Sequence, residues 1–186
     1  MLLDGAPFAP GSPGAAIGAG VFMVPEDRAA QALVAGWSVR ANASLPFLAR
    51  LTSLGLVRKR AEADRARRII DMLGVVCAGP EAPIGSLSGG NQQKVVVGRW
   101  LAEDGRVLIF DEPFRGVDIG ARRDIAHRLR SLSDDVVVIV ISSDLDEILE
   151  VADRVLVMSG GGVVADVRRS EVDRTGIALE MTGART

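Results

Sequence analysis

The sequence contains one cysteine, one histidine and no tyrosine among its 186 residues. The single thiol, Cys77, cannot close an internal disulfide; this fits a reducing compartment and a small packed hydrophobe rather than a reactive group. No apolar run reaches the roughly 18 residues that a membrane-spanning helix needs. The N-terminus has no basic region leading into an apolar stretch. Asp4, Pro7, Pro10 and Pro13 also argue against a signal peptide. Positive charge is not in excess: 22 Lys+Arg against 24 Asp+Glu give a formal charge of −2, which removes the electrostatic case for nucleic acid. A phosphate loop of the form G-x-x-x-x-G-K-[ST] is missing as well, since Gly11-Ser12-Pro13-Gly14 has neither the spacing nor the lysine.

What is present is ordinary globular material, 48% hydrophobic and 25% charged, long enough for one large domain or two small ones. Residues 4–20 are rich in Gly, Ala and Pro and read as turns with a short helix over 13–19. A short apolar run at 20–24, stopped by Pro25, reads as a buried strand. Helical periodicity runs through 39–73 and is clearest at 61–73, with Ile69, Ile70 and Leu73 on one side and Glu62, Asp64, Arg65 and Arg68 on the other. The basic cluster of Arg58, Lys59, Arg60, Arg65, Arg67 and Arg68 reads as a solvated helix face, because Glu62 and Asp64 interrupt it.

Further on, helices are expected at 90–102, 121–131 and 144–151, and strands at 107–110, 136–141 and 155–158. Ser159-Gly160-Gly161-Gly162 turns a hairpin into a strand over 163–167. A last helix opens at Ser170, capped by its hydroxyl with Asp173 completing the box. Short all-apolar strands alternating with helices predict an α/β fold whose parallel sheet is covered on both faces. Ligands of such sheets bind beyond the carboxyl ends of the strands. Glu26, Asp111, Glu112 and Ser143 all fall there.

Two stretches carry chemistry. In Val107-Leu108-Ile109-Phe110-Asp111-Glu112-Pro113, four apolar residues bury a strand and deliver Asp111 at its tip, where a carboxylate can hold Mg²⁺ through water. Glu112 can accept a proton from a water attacking a γ-phosphate. In Leu87-Ser88-Gly89-Gly90-Asn91-Gln92-Gln93-Lys94, the glycines let backbone approach an anion and the following helix aims its free N–H groups at it. Ser88 adds a hydroxyl donor.

These motifs resemble the ABC-type ATPases, in which LSGG is the signature, Asp111 ends the Walker B strand and Glu112 stands at the catalytic base. Arg115-Gly116-Val117-Asp118 resembles the D-loop. Val24-Pro25-Glu26-Asp27-Arg28, the Asn-Gln-Gln after the signature, and Ile141-Ser142-Ser143-Asp144-Leu145 with Glu147 narrow the likeness further. They resemble the C-terminal ATPase half of bacterial importers for ribose, galactose, xylose and similar sugars, over residues 3 to about 183.

The resemblance implies a P-loop NTPase-like sheet with a small helical subdomain, and a chain that begins partway into the domain. It divides the sequence into a core remnant (1–37), a helical subdomain that docks on a permease (38–80), the signature and remaining core (81–168), and a C-terminal helix and tail (169–186). It implies ATP and Mg²⁺ as ligands. Ser88, Gly89, Gly90, Gln92, Asp118 and Ser143 would bind nucleotide; Asp111 and Glu26 would do so too and would also serve the metal. Glu26 stands where most relatives have the Q-loop glutamine, and Ser143 where many have the switch histidine. His127 lies within a helix and reads as solvated. Phe114 replaces the threonine common in the subgroup.

The implied partners are a second ABC ATPase domain, membrane permease subunits and, indirectly, a sugar-binding protein; nucleic acid is not among them. The implied location is cytoplasmic, peripheral on the inner face of the cell membrane. Two alternatives stay open: an inactive truncated remnant or mis-assigned gene start, and, more distantly, a non-transport ABC ATPase of the DNA-repair type.

Overall fold

In the computed structural model, which describes residues 1–132 and 134–181, the chain opens with a small antiparallel hairpin of β1 (Leu2–Leu3) and β2 (Ala6–Pro7). Ser12 caps α1 (Pro13–Gly18) by accepting the Ala15 N–H, and Pro13 brings a helical φ to the first turn. After β3 (Val21–Val24) comes a π-helical turn, Arg28–Ala32, capped by Asp27.

Helical character between 39 and 73 is broken in two. α2 (Val39–Ser44) runs into a 3₁₀ segment, Leu45–Leu51, in which Pro46 cannot donate to a helix ladder. A hairpin of β4 (Thr52–Ser53) and β5 (Leu56–Val57) then precedes α3 (Lys59–Leu73). Its turn, Leu54-Gly55, has positive φ at both residues. The expected 39–73 pattern is corrected accordingly.

The remaining elements are α4 (Gly89–Leu101), β6 (Val107–Asp111), α5 (Ile119–Arg130), β7 (Val137–Ile141), α6 (Leu145–Val151), β8 (Arg154–Ser159), β9 (Gly162–Arg168) and α7 (Arg174–Met181). β3, β6 and β7 form one parallel sheet with β6 in the middle, Val24 opposite Phe110 and Asp111 opposite Ile141. All three strands therefore end at one edge. β8 and β9 pair as a separate antiparallel hairpin turned by Gly160-Gly161, both at positive φ.

The main core lies on one face of the parallel sheet. Phe22, Val24, Leu108 and Phe110 point into it and meet Val95, Val96 and Val97 of α4, Ile69 of α3 and Ile125 of α5. Phe22, Phe47 and Trp100 pack as an aromatic trio with ring centroids 5.1–5.5 Å apart. A second, smaller core gathers Val155, Val157 and Ile177 against α6 and β9.

The opposite face is not covered by the described residues. Met23, Val137, Ile139 and Ile141 are 48, 56, 44 and 48% exposed. The expectation of a sheet buried on both faces is thus met on one face only. α4 and α5 both pack on the side of Phe22 and Phe110, which leaves Met23 of β3 and the alternate residues of β7 exposed and those of the central β6 half-buried.

Two side-chain expectations also change. Arg65 and Glu62 are buried, not solvated. Arg65 donates to the Ala43 and Arg99 carbonyls and pairs with Glu103, while Glu62 pairs with Arg40. Arg58, Lys59, Arg60, Arg67 and Arg68 are exposed as read from the sequence. At the C-terminus, Arg169–Glu171 form a 3₁₀ turn, and the Asp173 carboxylate, not the Ser170 hydroxyl, accepts the N–H groups of Thr175 and Gly176 at the start of α7. Residues 182–186, the last part of the expected C-terminal helix and tail at 169–186 and of the family likeness, lie outside the described residues.

Candidate functional site

The strand edge where β3, β6 and β7 end gathers the acidic residues. Asp111 closes β6, half-buried. Glu112 follows with φ +45°, a left-handed backbone that a glutamate seldom adopts. That conformation turns the chain sharply off the strand, with the Glu112 N–H donating to the Ile141 carbonyl at 2.9 Å. Its carboxylate then meets the loop after β7, where Oε1 accepts the Ser143 N–H at 2.9 Å. Ser142 Oγ lies 3.4 Å from Glu112 Oε2 and 2.6 Å from Glu147 Oε2. A hydroxyl has one hydrogen, so it serves the nearer Glu147, and Glu112 keeps acceptor capacity for another donor. Ser143 thus reaches Glu112 through its backbone. Ser142, which carried no role in the sequence reading, supplies the side chain that organises this loop.

Ser88 N-caps α4 and accepts from Asn91, at 3.4 Å from its N–H and 2.9 Å from its Nδ2. With its oxygen accepting, the exposed Ser88 hydroxyl has its hydrogen left to donate outward. Asn91 Oδ1 in turn accepts the Val76 N–H at 2.8 Å, which ties the turn to the end of α3. Asn91 is therefore a supporting residue that the octapeptide contained but whose role could not be read from it. Gln92 turns back onto the Ile84 and Leu87 carbonyls at 3.3 and 3.1 Å, which commits its amide nitrogen to the protein's own backbone. Gln93, buried, donates to the Pro113 carbonyl at 2.9 Å and so links α4 to the end of β6. Lys94 pairs with Asp124 at 2.6 Å and donates to the Gly74 carbonyl, away from the turn.

The two glycines have a reason that the sequence did not reveal. A Cβ on Gly90 would lie 2.5 Å from Asp118 Oδ2 and 3.0 Å from the Ala121 Cβ. One on Gly89 would lie 2.6 Å from Arg28 Nη2 and 3.2 Å from the Gly116 carbonyl oxygen. The glycines admit the protein's own 115–118 loop and Arg28; Gly89 stays half-exposed, while Gly90 is buried. Asp118 N-caps α5, and the Ala121 N–H at 3.0 Å holds its carboxyl below the usual carboxylate range.

Glu26, exposed just past β3, forms an ion pair with Arg115. Among the described residues no group of three or more His, Cys, Asp or Glu is arranged to hold a metal on its own. Phe114 is buried at 3% exposure with the Arg122 guanidinium 5.8 Å over its ring, so this substitution adds core volume. His127 is exposed on α5. Two constellations result. One joins Glu26, Arg28, Ser88, Gly89, Gly90 and Asp118; the other joins Glu112 and Ser143, with Asp111 beside them. The segment 111–118 connects them.

A family model described as ABC transporter matches residues 2–115. A ribose import ATP-binding protein, RbsA 2 of Streptomyces avermitilis, is 45% identical over 183 residues, 97% of this chain and 36% of that protein. An arabinose import ATP-binding protein, AraG of Pseudomonas syringae pv. syringae, is 42% identical over 94% of this chain and 35% of its own length. The chain spans about a third of the length of the curated relatives it matches. Among solved structures, the dimeric ATP-binding cassette MJ0796 bound to ADP and Pi superposes with a TM-score of 0.67 at 21% identity, over 80% of this chain and 63% of that one. The fold is that of the cassette. No helix among the described residues is long and apolar enough to cross a membrane.

Proposed function

Since this chain belongs to the ABC transporter family, we propose that it forms part of the ATP-binding subunit of a bacterial importer for ribose, arabinose or a similar sugar. Its role there is to present the Ser88-Gly89-Gly90 turn to an ATP whose phosphate loop lies on a second ATPase domain. The observation that carries this reading is the exposed Ser88 at the N-terminus of α4, which accepts from Asn91 and keeps its own hydrogen to donate. A 13-residue helix adds its positive dipole end at the same place. A terminal phosphate can be held there without a lysine.

At its other site the chain supplies Glu112. With ATP held there by a phosphate loop from outside residues 1–186, water oxygen would attack the γ-phosphorus, the bond to the leaving β-phosphate oxygen would break, and the proton would pass to a Glu112 carboxylate oriented by the Ser143 N–H. Mg²⁺ fits beside Asp111 through water, since this ion keeps several waters and takes few protein carboxylates; bound there, it would neutralise charge on the phosphates. Glu26 would join it only on leaving Arg115. Residues 1–186 contain no phosphate loop. The chain alone is therefore expected to bind ATP weakly and to hydrolyse none.

Docking on permease subunits through residues 38–80, and with it a peripheral position on the inner membrane face, completes the proposal. Uptake of labelled ribose or arabinose by cells expressing the complete importer tests this reading. Ser88→Phe should abolish uptake at unchanged protein level, and full uptake by that variant would refute the role of the turn.

A further inference from the structure

Arg28 belongs to none of the roles above, yet it stands between the two loops that form the proposed phosphate-binding side. Its Nη1 donates to the Arg115 carbonyl at 3.1 Å. Its Nη2 occupies the space beside Gly89, where any Cβ would lie 2.6 Å away, and the Gly116 carbonyl oxygen borders the same gap. Gly116, at φ +65°, keeps the other wall open. The segment that presents Arg28 is itself fixed. Asp27 Oδ1 accepts the Ala29 and Ala30 N–H groups, each at 3.0 Å, and Glu26 pairs with the Arg115 side chain. Residue 115 is thus held by its carbonyl and its guanidinium from one short stretch, 26–28.

We propose that Arg28 is a positioning residue for ATP turnover. Its planar guanidinium sets the spacing between the Ser88-Gly89-Gly90 turn and the 115–118 loop. This rests on the ATP-site reading above. A lysine can replace it only in part, because one ammonium lacks the flat fork that donates to Arg115 while filling the gap at Gly89. Loss of a charge-assisted hydrogen bond at a half-exposed position is expected to cost about tenfold in rate.

The test is steady-state ATP turnover by the assembled importer carrying Arg28→Ala, Arg28→Lys, Gly89→Ala, the Arg28→Ala/Gly89→Ala pair, or Ser88→Phe as a control. Arg28→Ala should lower kcat about tenfold with KM for ATP unchanged within about twofold, and Arg28→Lys should recover only part of it. The pair should be far less impaired than the product of the single losses, because the methyl added by Gly89→Ala acts largely by displacing a guanidinium that is then absent. Urea midpoints for Arg28→Ala should stay near the parent, as expected for an exposed contact. Full turnover in Arg28→Ala, a raised KM with intact kcat, or multiplicative single losses would each overturn the positioning role. Turnover that survives Ser88→Phe would instead overturn the ATP-site reading itself.

Discussion

Replacing Gly90 with alanine opposes two effects of known size. Within a helix, Ala in place of Gly gains up to about 1 kcal/mol. Against that, the new Cβ would stand 2.5 Å from Asp118 Oδ2 and 3.0 Å from the Ala121 Cβ. The carboxylate can swing aside, but it then leaves the Ala121 N–H that it caps at 3.0 Å, a loss of about 0.5–2 kcal/mol. Ala121 is 5% exposed and cannot retreat without moving α5, which adds about 1–3 kcal/mol of overpacking. The net expectation is a destabilisation of about 1–3 kcal/mol, or roughly 2–10 °C in Tm for a chain of this size. Urea unfolding followed by far-UV circular dichroism reads it directly. An Asp118→Ala background removes the oxygen being struck, so there the cost of Gly90→Ala should shrink by about 0.5–2 kcal/mol. A Gly90→Ala chain as stable as the parent, or more so, would refute the claim that this glycine exists to admit Asp118.

Further outcomes are expected elsewhere. Arg65→Met leaves Glu103 with only the exposed Arg50 as partner and strands the Ala43 and Arg99 carbonyls, so unfolding free energy should fall by about 2–4 kcal/mol, measured by denaturant titration. Because Asp118 titrates below its usual range in the folded chain, its contribution is fully present above about pH 4 and is lost as pH falls through the lower, folded value. Asp118→Ala should accordingly lower stability at neutral pH and flatten the acid limb of the stability curve below about pH 4.

Much of the sheet was legible because its strands are short, apolar and β-branched, and because Pro25 and Pro113 mark where two of them give way. The acidic edge followed from the same runs, since Asp111 and Glu112 come straight after Phe110. The bare face was not legible. Val137-Val138-Ile139-Val140-Ile141 announces burial on both sides, while only alternate residues are packed by the described chain. Burial of Arg65 depends on carbonyls at 43 and 99 and a carboxylate at 103, which helical periodicity over 61–73 does not sense. The hairpin at 52–57 was hidden because Leu54 occupies a positive-φ position that turn rules assign to Asn, Asp or Gly. The glycines of the turn read from the sequence as an anion cradle, whereas their tight fit to Arg28 and Asp118 depends on loops that only the fold brings together.

The central claim is that the α4 turn completes a nucleotide site seated on another ATPase domain. Its most direct test is ATP hydrolysis measured on this chain alone, on a phosphate-loop-bearing ATPase domain of the same importer alone, and on the two combined. The account predicts no turnover by this chain, a marked rise on combination, and loss of that rise when Gly89 is changed to Val. Hydrolysis by the isolated chain, or a rise that persists with Gly89→Val, would contradict it.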